Sequence, residues 1–473
     1  MSAEMNDRAA GAVLGTAAGD ALGAGYEFGP ALPDDAEVGM IGGGAFRWEP
    51  GEWTDDTSMA VPLLEVAARG QRFEGEALEH VAARWLDWSS TAKDVGNQTR
   101  AVFRAARAQG TAEAVREAAA DFARTHERSA GNGSLMRTAP VALAHLDDEL
   151  GLVDAARRIS DLTHADPLAG DACVLWCLAI RRAIVTGGLD LQAGLSALPA
   201  ERQQQWDTRI AEAEQKQPRD FPANGWAGGA LQAAWSAITH GTSWVDVLER
   251  AVRGGNDTDT VAAIAGGLAG AAYGASAVPA RWRRILHGWP GLDADQLIRM
   301  AVLAAQGGRD DAKGWPSAER FPANGWRTLV RHPHDDGVWL GSLQALDDLP
   351  PEIDAVVSMC RVGTRQMGAA QTDREQVEFW LIDQDGRNPN LDFVLRDAAD
   401  TVAALRAEGR TVLVHCYAGQ SRTPAVGAAY SVLHRGKPAD VALREVDGAL
   451  PSGGAAPYFR DAVRRLAATA GER

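Results

Sequence analysis

The sequence predicts two domains of different class, an all-α domain followed by an α/β domain, and three observations carry that reading. The chain has 473 residues, more than a usual single domain. As far as residue 305 it reads as Ala/Leu/Val segments with helical periodicity, among them 58–69, 77–88, 99–109, 168–185, 228–239 and 260–273. Gly-, Asn-, Asp- and Thr-rich loops join them, and strand patterns are scarce. Beyond a stretch rich in Gly, Asp, Lys and Pro, short β-type runs at 355–358 and 411–414 alternate with helices. The expected division is therefore a domain over 1–305, a linker over 306–325 and a domain over 326–473.

The balance of charge excludes some functions. A formal net charge of −16 argues against nonspecific nucleic-acid binding and against an acidic membrane surface, because the overall field repels phosphates. Any anionic substrate must be held by local groups. Four cysteines without a regular framework point to a reducing compartment. The first residues have neither the basic region nor the apolar core of a signal peptide, so the expected location is cytoplasmic. Residues 261–280 carry no charge and are long enough to span a bilayer, but they are mostly Ala and Gly. That composition gains little in lipid and permits close helix packing, so a buried helix is expected.

In the second domain the run His-Cys-Tyr-Ala-Gly-Gln-Ser-Arg-Thr-Pro at 415–424 follows a strand-like segment and precedes a helix-like one. Five residues between Cys416 and Arg422 suffice to wrap backbone N–H groups around a phosphate at a helix N-terminus. Cys416 would attack as a thiolate, Arg422 would clamp the phosphate, and Thr423 would hydrogen-bond the sulfur or assist the second step. Around this loop, residues from about 327 onward resemble the dual-specificity protein tyrosine phosphatase family. The resemblance implies a central parallel sheet flanked by helices, a cysteinyl-phosphate intermediate and an aspartic general acid on a separate loop. Asp383 and Asp385 are the candidates, and the family's spacing to the Leu that opens the next helix selects Asp385. Asp383 reads as a loop-shaping residue. Cys360 reads as a core residue on another strand, with a protective disulfide to Cys416 as the alternative.

The helical domain contains two acidic clusters, Glu-Trp-Thr-Asp-Asp-Thr-Ser at 52–58 and Gly-Gly-Asn-Asp-Thr-Asp-Thr at 254–260, each before a helix. Carboxylates beside hydroxyls, without His or Cys, form an oxygen-only ligand set suited to Mg²⁺, Mn²⁺ or Ca²⁺. If folding joins the clusters, Thr54, Asp55, Asp56, Asp257, Asp259 and Thr260 would hold two ions. The competing reading is helix capping. Further motifs stand at 19–28 (Gly-Asp-Ala-Leu-Gly-Ala-Gly-Tyr-Glu-Phe), 94–100 (Asp-Val-Gly-Asn-Gln-Thr-Arg), 131–137 (Gly-Asn-Gly-Ser-Leu-Met-Arg) and 163–164 (Thr-His). With the two clusters they follow the order of the ADP-ribosylglycohydrolase family, which residues 7–305 resemble over nearly their whole length.

That second resemblance implies an all-α fold with a dinuclear Mg²⁺ centre, Mn²⁺ being possible, that cleaves the bond between the anomeric carbon of ADP-ribose and its acceptor. Such cleavage develops oxocarbenium character that carboxylates stabilise. Carried over by motif, Glu27 and Asp94 face the scissile bond. Gly131, Asn132, Gly133 and Ser134 form a turn suited to a diphosphate. Met136 and Arg137 follow it, and Arg137 reads equally as a ligand contact or as a structural ion-pair partner. His164 would hydrogen-bond the ligand. Cys173 and Cys177, on one helical face, read as core, as do Trp226, Trp235 and Trp244. The hexapeptide Phe-Pro-Ala-Asn-Gly-Trp occurs at 221–226 and again at 321–326, and reads as a reused turn.

Together the resemblances imply a bifunctional hydrolase. The first domain would act on an ADP-ribosylated protein, nucleic acid or metabolite, and the second on a phosphorylated substrate. The alternatives are a phosphate-binding targeting module in place of the phosphatase, or an ADP-ribose sensor beside an active phosphatase.

Overall fold

The structure is a computed structural model that describes residues 1–310, 313–322, 327–367, 374–451 and 453–470. Its contacts divide the chain into two compact units: unit 1 is Met1–Val278 with Ile285–Arg309, and unit 2 is Pro279–Arg284 with Asp310–Arg473. The short segment 279–284 thus packs into unit 2, where the Ala280 N–H donates to Asp397 and Arg284 pairs with Glu375 and Glu408.

Unit 1 is helical apart from a two-residue antiparallel ladder, His287–Gly288 against Leu292–Asp293. The helical periodicities correspond to Asp55–Ala68, Glu76–Trp88, Asn97–Ala106, Pro167–Thr186, Ala227–His240 and Thr258–Tyr273. At its centre the helix Ala3–Gly23 lies antiparallel on Thr258–Tyr273, and both are almost wholly buried. Gly11, Gly15, Gly19 and Gly23 recur every four residues and so line one ridge of the first helix. A Cβ at Gly11, Gly15 or Gly19 would fall within 3 Å of the carbonyl oxygen of Gly270, Gly266 or Ala262, and one at Gly23 within 3 Å of the Asp259 backbone. The two backbones therefore touch directly.

The uncharged run 261–280 contributes that second helix and is core. Among the described residues no helix is long and apolar enough to cross a membrane. Trp53, Trp85, Trp176, Trp206 and Trp244 are the largest fully buried apolar side chains around it. Cys173 and Cys177 are buried beside Ser134 and Thr138, and all four cysteines are free thiols.

Unit 2 is built on a five-stranded sheet. Its strands are β1 (Leu329–His332), β2 (Asp335–Ser342), β3 (Ala355–Ser358), β4 (Glu375–Glu378) and β5 (Val412–Cys416), in the order β1-β2-β5-β3-β4. The pairs β2/β5, β5/β3 and β3/β4 are parallel. The edge pair β1/β2 is antiparallel and adds to the central parallel strands. A tight turn between His332 and Asp335 returns the chain on itself, and only an antiparallel partner can follow so short a connection. The central strand β5 is buried at every residue and is followed by the helix Arg422–Arg435. Helices Leu391–Ala407, Ala439–Ala449 and Pro457–Ala470 complete the unit.

The glycine ridge gives a direct test. Gly15→Ala places a methyl group against the Gly266 carbonyl, and overpacking of this kind costs about 1–3 kcal/mol or more. Gly448 lies in the helix Ala439–Ala449 with open space around it, so Gly448→Ala is expected to be neutral or stabilising by up to about 1 kcal/mol. Urea unfolding of the two variants checks this, and equal effects would contradict the packing argument.

Candidate functional site

Close approach of the two central helices sets the geometry in unit 1. Asp20, one residue beyond Gly19, is fully buried and accepts from Thr54 N–H (2.8 Å), Thr57 N–H (2.9 Å) and Thr57 Oγ1 (2.7 Å). Asp20 thereby caps the helix Asp55–Ala68 from a neighbouring helix. Thr54, its own N-cap residue, makes no side-chain cap hydrogen bond. This disposes of the capping explanation for the first cluster: Asp55 and Asp56 open the helix with their carboxylates turned to other uses. In the second cluster Asp257 likewise makes no side-chain cap bond and accepts from Asn132 Nδ2 at 2.8 Å.

Folding joins the clusters. Carboxylate oxygens of Asp20, Asp56 and Asp259 lie within 4.8 Å of one another, as do those of Glu27, Asp257 and Asp259. Asp259 belongs to both sets, and Thr54 Oγ1 bridges Asp56 (3.0 Å) and Asp259 (3.4 Å). Thr54 thus supports two carboxylates, while Asp55 and Thr260 line the cavity above. Asp20 and Glu27 enter these sets although sequence reasoning gave the first no role and the second only a place at the scissile bond.

The electrostatics follow from crowding. Burial pushes Asp20 up to about 6, and burial with Asp94, Asp20 and Asp257 pushes Asp55 up to about 7. Burial with Asp257, Asp94 and Asp55 takes Glu27 up to about 9. Asp56 and Asp259, buried beside other carboxylates, lie well above the usual range. Asp56 Oδ1 is buried without a hydrogen-bond partner among the described residues. An unpartnered buried oxygen within a set of carboxylates fits a hard divalent cation, which would satisfy it and relieve the repulsion.

Above these groups opens a cavity of about 540 Å³, whose wall includes Glu27, Asp94, Gly131, Gly133, Met136 and His164. Two residues shape its edge through backbone strain. The Phe28 N–H donates to Asn256 O (2.7 Å) and the Asn256 N–H to Gly29 O (2.8 Å), while Phe28 and Asn256 both have φ of 63°. Such non-glycine conformations cost on the order of 1–3 kcal/mol and persist where surrounding structure enforces them. Here the pairing fixes Glu27 beside Asp257.

The turn after Gly131 is set by a histidine. A Cβ at Gly131 or Gly133 would meet the His164 ring at 3.0 or 2.9 Å, so glycine at both positions lets the ring seat beneath the backbone. Arg137 Nη2 donates to Thr163 Oγ1 (2.7 Å), which leaves the Thr163 hydroxyl proton for His164 Nδ1 (2.8 Å). The Nε2–H tautomer follows, and burial with Arg137 holds His164 down to about 3, keeping it neutral. Arg137 itself does not line the cavity. Fully buried, it stacks 4.2 Å over Trp85 and pairs with no carboxylate among the described residues. Ser134 also lies beneath the turn, bonded to Ser160. Asn132 instead links the turn to Asp257 and to Asn224 O.

That last contact explains one copy of the repeated hexapeptide. Asn224 donates to Gly255 O and accepts from the Asp257 N–H, so the 221–226 turn braces the second acidic cluster. In the other copy residues 323–326 lie outside the described residues.

In unit 2, Cys416 ends β5 at 1% exposure and Arg422 opens the next helix. Arg422 Nη1 donates to Met359 O (2.9 Å) and Leu381 O (3.1 Å), which fixes the guanidinium plane. Thr423 Oγ1 donates to Gly341 O (3.1 Å), so its proton is directed at the backbone and not at sulfur. Asp383 accepts from Ser421 Oγ and Tyr458 OH (both 2.8 Å) and stands 3.6 Å from Arg422 Nε. Asp385 is exposed on the same loop, whose ends Asn388 ties together through both backbone groups of Ile382. Burial pushes the Cys360 thiol up to about 12, consistent with a core residue.

Comparison with known proteins bears on unit 1. The ADP-ribosylglycohydrolase family model matches residues 1–312. The chain is 33% identical over 284 residues to ADP-ribosylarginine hydrolase Tri1 of Pseudomonas putida (strain GB-1), covering 58% of this chain and 73% of that one. It is 33% identical over 290 residues to ADP-ribosyl-[dinitrogen reductase] glycohydrolase of Rhodospirillum rubrum, covering 59% and 90%. A solved ADP-ribosylglycohydrolase-related protein complex matches with a TM-score of 0.53 and 34% identity, over 65% of this chain and 99% of that one.

The raised carboxylates predict a pH signature. A carboxylate whose folded pKa exceeds its unfolded value binds more protons in the folded state, so stability falls as pH rises between the two values. The intervals run from 3.8 to about 6 for Asp20, from 3.8 to about 7 for Asp55 and from 4.5 to about 9 for Glu27. Buried His164, held down to about 3, opposes this below its ordinary value of 6.5, so in EDTA the net fall of the melting temperature is expected between about pH 6.5 and about pH 9. Added Mg²⁺ should then raise it more at pH 8 than at pH 5. Calorimetry at both values checks this, and an equal shift or none would contradict it.

Proposed function

We propose a function from one premise: the chain belongs to the ADP-ribosylglycohydrolase family. Unit 1 is a hydrolase of ADP-ribosyl linkages, and we read its acceptor as the guanidino nitrogen of arginine. The observation that carries the reading is the pair of carboxylate sets, one buried and one half-buried, that share Asp259 beneath the cavity. A relative named for ADP-ribosylarginine supports the acceptor, and one named for ADP-ribosyl-[dinitrogen reductase] supports a protein-linked ADP-ribose.

Asp20, Asp56, Asp257, Asp259 and Glu27 are the residues that would hold divalent cations, with Mg²⁺ the proposed ion and Mn²⁺ an alternative of like preference. When bound, such ions grip ribose hydroxyls and lower the pKa of water. The chain's own groups do the rest. The neutral His164 Nε2–H and the Gly131–Gly133 turn receive the diphosphate side. Glu27 and Asp94 are the carboxyls of the cavity wall that face the scissile bond. Water adds to the anomeric carbon as the carbon–nitrogen bond breaks. One carboxyl takes the water's proton and the other delivers a proton to the departing nitrogen.

For unit 2 we propose cysteine-dependent hydrolysis of phosphate monoesters. Cys416 attacks phosphorus, the alcohol departs with a proton from Asp385, and water then releases phosphate from sulfur. Asp383 is committed to Ser421, Tyr458 and Arg422, which supports Asp385 as the acid. Thr423, bonded to Gly341, is read as holding the loop.

Arginine-, serine- and DNA-linked ADP-ribose, incubated with Mg²⁺ or EDTA and followed by mass spectrometry, test the first activity. Release is expected from the arginine linkage with Mg²⁺, to be abolished by Asp56→Asn and lowered about 100-fold or more by Glu27→Gln. Release only from serine or DNA would move the acceptor, and none at all would sink the hydrolase reading. With p-nitrophenyl phosphate, Cys416→Ser should abolish turnover and Asp385→Asn lower it by about 10²–10⁴. Turnover unaffected by Cys416→Ser would refute the phosphatase reading.

A further inference from the structure

We infer that Phe28 and Phe46 form the platform on which the planar guanidinium of the acceptor arginine lies during cleavage, an inference that rests on the arginine reading above. Phe28 is 67% exposed, unusual for a phenylalanine, and its exposure is enforced. The two backbone bonds to Asn256 and the positive φ hold the ring outward at the cavity mouth. A second device brings Phe46 to the same place. The Gly43 and Trp48 backbones exchange hydrogen bonds of 2.7 and 2.9 Å around a turn in which Gly43, Gly44 and Arg47 have positive φ. The ring centroids stand 6.3 Å apart at 64°.

Both rings line the same cavity as Glu27, Asp55 and Asp94. An aromatic face beside carboxylates suits a flat cation, through the ring quadrupole on one side and opposite charge on the other. The glycine turn Gly131–Gly133 with the neutral His164 Nε2–H suits a diphosphate, which assigns the nucleotide to that side and the acceptor to the Phe28 side. Since Phe28 follows Glu27 directly, a guanidinium on the ring lies next to a carboxyl of the scissile bond.

The test uses the full chain with Mg²⁺, measuring kcat/KM for ADP-ribosyl-arginine and calorimetric affinity for ADP-ribose, which lacks the acceptor. Phe28→Ala should lower kcat/KM about 10- to 30-fold, in keeping with a desolvated cation–π contact, with ADP-ribose affinity within about twofold of wild type. Phe28→Leu, which keeps apolar bulk without a π face, should recover less than about a third of the loss. Phe46→Ala should act in the same direction, which keeps the test valid if a Phe28 variant misfolds. Unchanged kcat/KM in Phe28→Ala and Phe46→Ala overturns the inference, as does full recovery in Phe28→Leu. A parallel fall in ADP-ribose affinity assigns the ring to the nucleotide and also overturns it. Failure of wild type to cleave the arginine linkage overturns the acceptor reading itself, a separate outcome.

Discussion

Direct contact between two helix backbones is the constraint on which unit 1 depends. Gly11, Gly15, Gly19 and Gly23 lie on the carbonyls and backbone of the helix Thr258–Tyr273 with no side chain between. A glycine in a helix interior costs up to about 1 kcal/mol relative to alanine, so the ridge is destabilising locally. What it secures is proximity. At any wider spacing Asp20 and Asp259, on facing helices, would not share a set of oxygens with Asp56.

Proximity creates the second tension. Carboxylates forced together in a buried place resist ionisation, and Asp56 Oδ1 has no donor among the described residues. The surrounding polar contacts do not neutralise the cluster. The donors to Asp20 are the uncharged Thr54 and Thr57 N–H groups and the Thr57 hydroxyl, Asn132 serves Asp257, and Arg137 is directed to Thr163 and Trp85. The arrangement has the character of a site completed by an added cation and not of a self-sufficient ion-pair network. Strain at Phe28 and Asn256 belongs to the same economy, since it fixes Glu27 over the cluster and leaves a ring at the mouth.

Much of this organisation is legible in the sequence, for identifiable reasons. Helical periodicity locates the helices of unit 1 because their apolar faces repeat at the helical period, and the mixture of short β-runs and helices marks unit 2. The acidic clusters stand out because each groups carboxylates with hydroxyls and no His or Cys, an oxygen-only set that capping alone does not require. Asp20 escapes because a lone acid in a long helix resembles any other, although the four-residue glycine ridge ending beside it was an available signal. Ser134 and Arg137 belong to a motif in which Gly131, Asn132, Gly133 and Met136 face the cavity and these two do not, a distinction that only the turn's geometry provides. In unit 2 the antiparallel edge strand follows from a tight turn at 332–335, for which Pro333 was an available signal. The hydroxyl of Thr423 and the carboxylate of Asp383 likewise found partners that spacing alone could not assign.

The central claim is that helix contact assembles two oxygen sets sharing Asp259. Anomalous scattering from crystals grown with Mn²⁺ tests it most directly. The account predicts two manganese peaks in unit 1, one among Asp20, Asp56 and Asp259 and the other among Glu27, Asp257 and Asp259. Both peaks should vanish in Asp259→Asn. Manganese bound only elsewhere, or no manganese at saturating concentration, would contradict it.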